Sequence, residues 1–332
     1  MQPEKEVEQL LSDPDIRTLQ CSSPVGLDTW DLLNRNLFAR RPEIELRVYG
    51  FYSLVCDLSF VRRVTNARRF SADCLMQATG VEHIAVLENL EELSIGIYSL
   101  DSFDFLKQLP SGIKNLSLAA TKSKKPRLHI LSRFQSLTHL YLEGQQQGID
   151  VLSELKKLED LTLRSITTEG LDYISMLPRL WSLNIKLGGI KNLSAIANNE
   201  SIKYLELWQI RGLSDIGVVS SLGGLQSLFL QSLINVRAIP DLSKLYNLRR
   251  LHLENLKGLK DVSAIRHAPA LEEFLHISAQ NIQPEMYKDL MSMPNLKYVH
   301  VGYGSRKKNE EFNALVLFSG KQTGTNRHFA FR

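Results

Sequence analysis

One pattern constrains this chain more than any other. An apolar residue, two variable residues, a second apolar residue, one variable residue and a third apolar residue recur every 21–24 positions. The pattern reads LEELSI from Leu90, IKNLSL from Ile113, LTHLYL from Leu137, LEDLTL from Leu158, LWSLNI from Leu180, IKYLEL from Ile202, LQSLFL from Leu225 and LRRLHL from Leu248. Successive starts lie 23, 24, 21, 22, 22, 23 and 23 residues apart, a regularity that chance does not produce. Looser copies continue it in both directions: LEEFLH from Leu271 and LKYVHV from Leu296, ARRFSA from Ala67, EIELRV from Glu43 and IRTLQC from Ile16. These make 13 candidate coils, the first three degenerate.

The shape follows from the period. In L-x-L the two leucines point to one face of a short strand and the residue between them to the other. A single coil cannot bury its own leucines, so stability requires neighbours stacked about 4.8 Å apart along a common core. After each strand the chain must cross the core and return. Apolar residues three apart, such as Leu171, Ile174 and Leu177, suit a 3-10 or irregular helical return. The expected fold is an α/β solenoid, with a parallel sheet on a concave face and 3-10 or irregular helical returns on a convex one.

The series resembles the leucine-rich-repeat family, specifically the short-repeat type of internalin-like proteins, over roughly residues 16–302. The second halves of the coils carry the same resemblance: GLSDIGVVSSLGGL from Gly212 and GLKDVSAIRHAPAL from Gly258 are similar to the internalin G-L-x-D-[IV] pattern. The ninth motif position, often Asn in that family, is here Ile166, Ile210, Leu233 or Leu256, so apolar stacking is expected to fill the column. The resemblance implies a horseshoe or arc closed by caps. Helical segments at Glu4–Ser12 and Asp28–Arg41, with Trp30, Leu32, Leu33 and Leu37, supply the first cap. Asn309–Phe318, with Phe312, Leu315 and Val316 at i, i+3, i+4, supplies the last. The expected division is an N-terminal cap with a degenerate first coil over 1–42, a solenoid over 43–302, and a C-terminal cap and tail over 303–332. The closing QTGTNRHFAFR is expected to be a loose tail or a closing strand.

With motif positions 1, 4 and 6 inward, positions 3, 5 and 7 face outward. Near Ser94, Gly96, Asn115, Ser117 and Ala119 that face is small and polar. Further along it becomes aromatic and charged, and the candidate partner-binding residues are Tyr141, Glu143, Tyr204, Glu206, Trp208, Phe229, Arg250, His252, Glu254, Tyr298 and His300. Aromatics flanked by charges are the composition of interface hot spots. Cross-strand packing of the same aromatics along the sheet is the bland alternative. At Leu271 the template places His276 inward and Leu275 and Ile277 outward. A one-residue slip, burying the two aliphatics, is the slightly favoured expectation there.

Catalytic and metal signatures are absent from the pattern, and no cofactor or metal is expected. Cys21, Cys56 and Cys74 are too widely spaced for a CxxC site and read as reduced, buried thiols. His252 and His300 share a column two coils apart, too far for one metal ion. Two basic clusters remain, Lys122, Lys124, Lys125 and Arg127 in one connection, and Arg306, Lys307 and Lys308 in another. With 40 basic against 36 acidic residues, the net charge of +4 does not by itself argue for nucleic acid. The start MQPEKEVEQLLSDP has no basic segment leading an apolar run, and no stretch approaches 18 apolar residues. The expectation is therefore a cytoplasmic, bacterial, monomeric, non-catalytic module that binds another protein with its sheet face, in a specific form an inhibitor or immunity-type protein, without membrane association. Nucleic-acid binding through the basic loops is the alternative from another class, and a hydrolase with an unrecognised site the weakest.

Overall fold

The computed structural model describes residues 3–51 and 54–332. The chain divides into two compact units, residues 1–158 and 159–332. In the first unit six strands pair in parallel, each with the next: β1 (Thr18–Cys21), β2 (Glu45–Tyr49), β3 (Arg69–Leu75), β4 (Glu92–Ile97), β5 (Asn115–Leu118) and β6 (His139–Glu143). Their register is that of the sequence motif. Leu19, Leu46, Phe70, Leu93, Leu116 and Leu140 stand in one lateral row, and Cys21, Val48, Ala72, Ile95, Leu118 and Leu142 in the next. One bulge, between Ala72 and Leu75, interrupts the pairing of β3 with β4. The returns are 3-10 helices, among them Leu58–Arg63, Val81–Val86, Leu128–Arg133 and Ile149–Glu154. Each tucks apolar residues such as Leu58, Ile84, Leu131 and Leu152 under the strands.

Two helices precede the second coil. Helix α1 (Pro3–Ser12) buries Val7, and α2 (Leu27–Leu33) runs into a π-helical turn, Asn34–Phe38. The wider turn brings both Leu37 and Phe38 inward, and Trp30 stacks on Phe60 with ring centroids 4.4 Å apart. The thiols depart from expectation. Cys56 is buried and Cys21 half-buried, but Cys74 is exposed. Burial pushes Cys56 up to about 12 and Cys21 to about 11. Cys74 sits on the corner that follows the strand, where the side chain has left the core.

That corner is a regular device. Cys74, Ser165, Leu187, Gln209, Ser232, Asn255 and Ser278 all occupy the eighth motif position, and all have left-handed backbones with φ between 49° and 59°. Gly50 and Gly144 fill the same position elsewhere with φ of 76°. The chain must turn sharply out of the sheet before the ninth-position residue re-enters the core, and Ile166, Ile210, Leu233 and Leu256 are buried there as expected.

The second unit contains β7 (Asp160–Arg164), β8 (Ser182–Lys186), β9 (Tyr204–Trp208), β10 (Ser227–Gln231), β11 (Arg250–Glu254), β12 (Glu273–Ile277), β13 (Tyr298–Val301) and β14 (Gln322–Thr323), again parallel and in sequence order. Leu161, Leu183, Leu205, Leu228 and Leu251 form a row with no exposed surface. Burying each such side chain stabilises the coil by about 1.5–3 kcal/mol. Coils approach closely enough that a Cβ on Gly224 would lie 1.9 Å from the carbonyl oxygen of Glu200, so only glycine fits.

The expected slip at Leu271 does not occur. Leu253 pairs with His276 and His252 with Leu275, so His276 points inward and is fully buried. The core supplies what the sequence pattern could not show. The Nδ1 of His276 is hydrogen-bonded to the hydroxyl of Tyr287, which comes from the return Pro284–Ser292. With Nδ1 so bonded the ring stays inside, its buried Nε2 without a hydrogen-bond partner, and the register of the neighbouring strands is preserved. At the far end α3 (Arg306–Phe318) buries Phe312 and Val316, and the Phe312 ring lies 5.6 Å from that of Tyr303.

Candidate functional site: the outward face of the second unit

Parallel register lines the outward residues of β7–β13 into three columns. The fifth-position column runs Asn184, Glu206, Phe229, His252, Leu275 and His300, and the seventh Arg164, Lys186, Trp208, Gln231, Glu254 and Ile277. Of the candidate residues, Tyr204, Glu206, Trp208, Phe229, Arg250, His252 and Glu254 are brought together on three adjacent strands. Tyr298 and His300 lie on β13, beyond the buried Glu273 and Leu275 of β12. Tyr141 and Glu143 belong to the first unit, where the Tyr141 hydroxyl donates to Glu143 over 3.1 Å.

The aromatics are half-buried by one another and by charged neighbours. The Phe229 ring stacks on the His252 imidazole at 4.3 Å with 13° between planes. The Arg164 guanidinium lies over the Trp208 ring, 5.4 Å from its centroid. Glu206 receives a hydrogen bond from Tyr204 (3.2 Å) and an ion pair from Lys186 (2.9 Å). Gln231 donates to Glu254 over 2.9 Å. Burial, reinforced by Arg250, pulls the His252 imidazole down to about 4, so it is neutral at pH 7. Burial and the Glu206 carboxylate push the Tyr204 phenol well above its ordinary value.

A second band lies at the strand starts, and it is occupied. After β14 the segment 324–332 doubles back over the beginnings of β12 to β9. The amide of Asn326 donates to Glu273 (3.0 Å), and Arg250 donates to the Asn326 carbonyl (2.9 Å) while pairing with Glu273 (2.6 Å). Arg249 donates to the Ala330 carbonyl. The Gln226 side chain takes both main-chain groups of Arg332, accepting from its N–H (2.8 Å) and donating to its oxygen (2.7 Å), and Lys203 donates to the same oxygen (2.7 Å). Phe329 lies over the guanidinium groups of Arg249 and Arg250, 4.7 and 4.1 Å away. Phe331 meets Trp181 at 5.2 Å and Tyr204 at 6.0 Å.

Against solved structures, the chain is similar to an internalin (inlF) of Listeria monocytogenes, with a TM-score of 0.54 and 18% identity, covering 90% of this chain and 82% of that one. The fold is the internalin-like leucine-rich repeat. Internalin C2 of the same organism (TM-score 0.45, 20% identity, 58% of this chain and 83% of that one) is also similar. So is a leucine-rich-repeat protein of Leptospira interrogans (TM-score 0.41, 15% identity, 96% of this chain and 98% of that one). No protein-family model matches the chain, and no curated protein matches its sequence.

On this leucine-rich repeat, Trp181, Lys203, Gln226 and Arg249 are functional candidates that the sequence columns missed. They occupy the second motif position, at the rim of the strands. Their role depends on a tail more than 70 residues away in sequence, which no local periodicity reveals. That tail is in part the closing strand expected of it, over Gln322–Thr323, and beyond that a seated strap. Among the described residues no cluster of His, Cys, Asp or Glu could hold a metal ion, and no helix is long and apolar enough to cross a membrane. The two basic clusters are diluted by acids. Lys125 and Arg127 line a cleft with Asp101 and Asp104. Arg306 pairs with Glu310 at 2.7 Å and Lys307 with Glu311 at 3.9 Å.

Proposed function

We propose that this chain is a non-catalytic protein-binding module and that the outward face of its second unit carries the contact. The observation that carries the reading is the open strand-end band. Trp208, Phe229 and His252 are half-exposed, rigidly stacked and ringed by Arg164, Lys186, Glu206 and Glu254. Large aromatics held in place by their neighbours lose little side-chain entropy on association, and mixed charges around them set partner orientation. The internalin-like fold supports the same reading by presenting a continuous row of such columns. The partner is a protein with a complementary apolar patch and charged rim, and an inhibitor or immunity-type role fits a surface that binds without chemistry of its own.

The test is capture from native cell extract, read by mass spectrometry, with wild type compared against Trp208→Ala plus Phe229→Ala. A discrete protein retained by the wild type and lost from a folded double variant supports the reading. Equal capture by both would remove this band from the interface. Truncating two half-buried aromatics lowers the melting temperature by a few degrees, because each stacked pair contributes about 0.5–1.5 kcal/mol. The transition should stay cooperative.

A further inference from the structure

We infer that the strand-start band of the second unit is a groove for an extended polypeptide carrying aromatic side chains two residues apart, and that residues 324–332 are its built-in occupant. The inference rests on the reading of this face as protein-binding and names the chemistry of what it takes. Four side chains, Lys203, Gln226, Arg249 and Arg250, direct donors at main-chain oxygens of the segment, at Asn326, Ala330 and Arg332. Gln226 returns an acceptor to the Arg332 N–H. Such contacts read backbone and are indifferent to its side chains; a turn at 327–328 separates the Asn326 contact from the run 329–332, which forms no helix or turn of its own.

Selectivity comes from the side chains that alternate along it. In an extended chain residues two apart share a face. Phe329 and Phe331 do so here, with ring centroids 5.4 Å apart, one over the paired guanidiniums of Arg249 and Arg250 and the other against Trp181 and Tyr204. Arg249 is only 8% exposed, and its guanidinium donates to the Gln226 amide oxygen and the Ala330 carbonyl. The segment covers this guanidinium and supplies a carbonyl in place of the water it displaces. Beside Arg332 a polar cleft of about 250 Å³, lined by Tyr246, Asn247, Glu272, Asn295 and Lys297 among others, leaves room for a further side chain of a longer ligand.

The strap is exchangeable. Phe331 is 40% exposed, and the segment's hydrogen bonds run to side chains of the strand starts. A tethered occupant acts at an effective concentration in the millimolar range, so it screens the groove against weak ligands and yields to stronger ones. The apparent affinity for an external peptide is reduced by the fraction of molecules whose groove is free.

The experiment uses the full chain and a fluorescent peptide with the sequence of residues 324–332, GTNRHFAFR. Phe329→Ser plus Phe331→Ser releases the strap. The peptide should bind this variant saturably and at least tenfold tighter than wild type. Binding should be lost when Gln226→Ala and Arg249→Ala are added, and when both phenylalanines of the peptide are replaced by alanine. Absent binding to the folded released variant, or equal affinity for variant and wild type, overturns the inference. Should the released variant fail to fold, hydrogen exchange on wild type decides. Protection of the Asn326 and Arg332 amides should fall as unlabelled peptide is added, and unchanged protection at saturating peptide overturns it equally. Peptide binding without capture by the Trp208 and Phe229 band would sink the broader function and leave the groove standing. Capture with no peptide binding would do the reverse.

Discussion

His276 interrupts a column otherwise filled by leucine, isoleucine and valine in this unit, and its burial has a pH consequence. Burial, with His252 nearby, lowers its imidazole to about 4. His252 is lowered to about 4 by burial and Arg250. Because both folded values lie below the ordinary value of 6.5, protonation favours the unfolded chain. The stability they carry is complete above pH 6.5 and is lost as pH falls through 6.5 toward 4. At pH 5 each group costs on the order of 2 kcal/mol. Thermal melts at pH 7 and pH 5 should therefore show a smaller drop for His276→Leu than for wild type, and an equal drop would show that this imidazole does not govern the acid limb. The left-handed corner makes a second prediction at this scale. A Cβ on Gly144 would meet only the Ala120 Cβ, at an ordinary 3.8 Å. Gly144→Ala should thus cost about 1 kcal/mol through backbone conformation alone, read from denaturant midpoints. The corner escaped the sequence because its residues share a conformation and no chemistry: Cys74, Leu187 and Asn255 have nothing else in common.

The strand is the element at which pattern and structure agree best. Each L-x-L placed its leucines inward because alternation in a strand is a matter of backbone geometry. The degenerate copies at Ile16, Glu43 and Ala67 folded into β1, β2 and β3 with the same register. Leu205→Asp places an unpaired carboxylate in a row with no exposed surface, and the second unit should lose its cooperative transition in circular dichroism. A folded Leu205→Asp chain would contradict the core assignment. The helical elements were less legible. Leu32, Leu33 and Leu37 fit a single α-helix by spacing, yet the chain opens into a π turn after Leu33 so that Leu37 and Phe38 both reach the core beneath. The outward columns were legible as positions only. That Phe229 stacks on His252, and Arg164 on Trp208, follows from lateral packing between strands some 20–45 residues apart in sequence.

For the molecule as a whole, charge gives little support to a polyanion as the principal ligand. The net charge is +4. Lys122, Lys124, Lys125 and Arg127 are exposed, but two of them share a cleft with Asp101 and Asp104. A protein that neutralises several phosphates loses affinity steeply with salt. This chain should leave heparin at low salt, and neutralising those four residues should shift its elution little. Steep, mutation-sensitive retention would return the nucleic-acid alternative to first place.

The repeat alone determined that this chain forms parallel coils with leucines inside and three columns outside, because strand alternation and the need of each coil for a neighbour are properties of the backbone and of apolar surface. Tertiary structure decided what those columns mean. It found His276 a partner on the helical return of its own coil, and it laid residues 324–332 over the strand starts. Both outcomes are contacts between segments that no period connects, and their free energy exists only once the stack has brought the segments together.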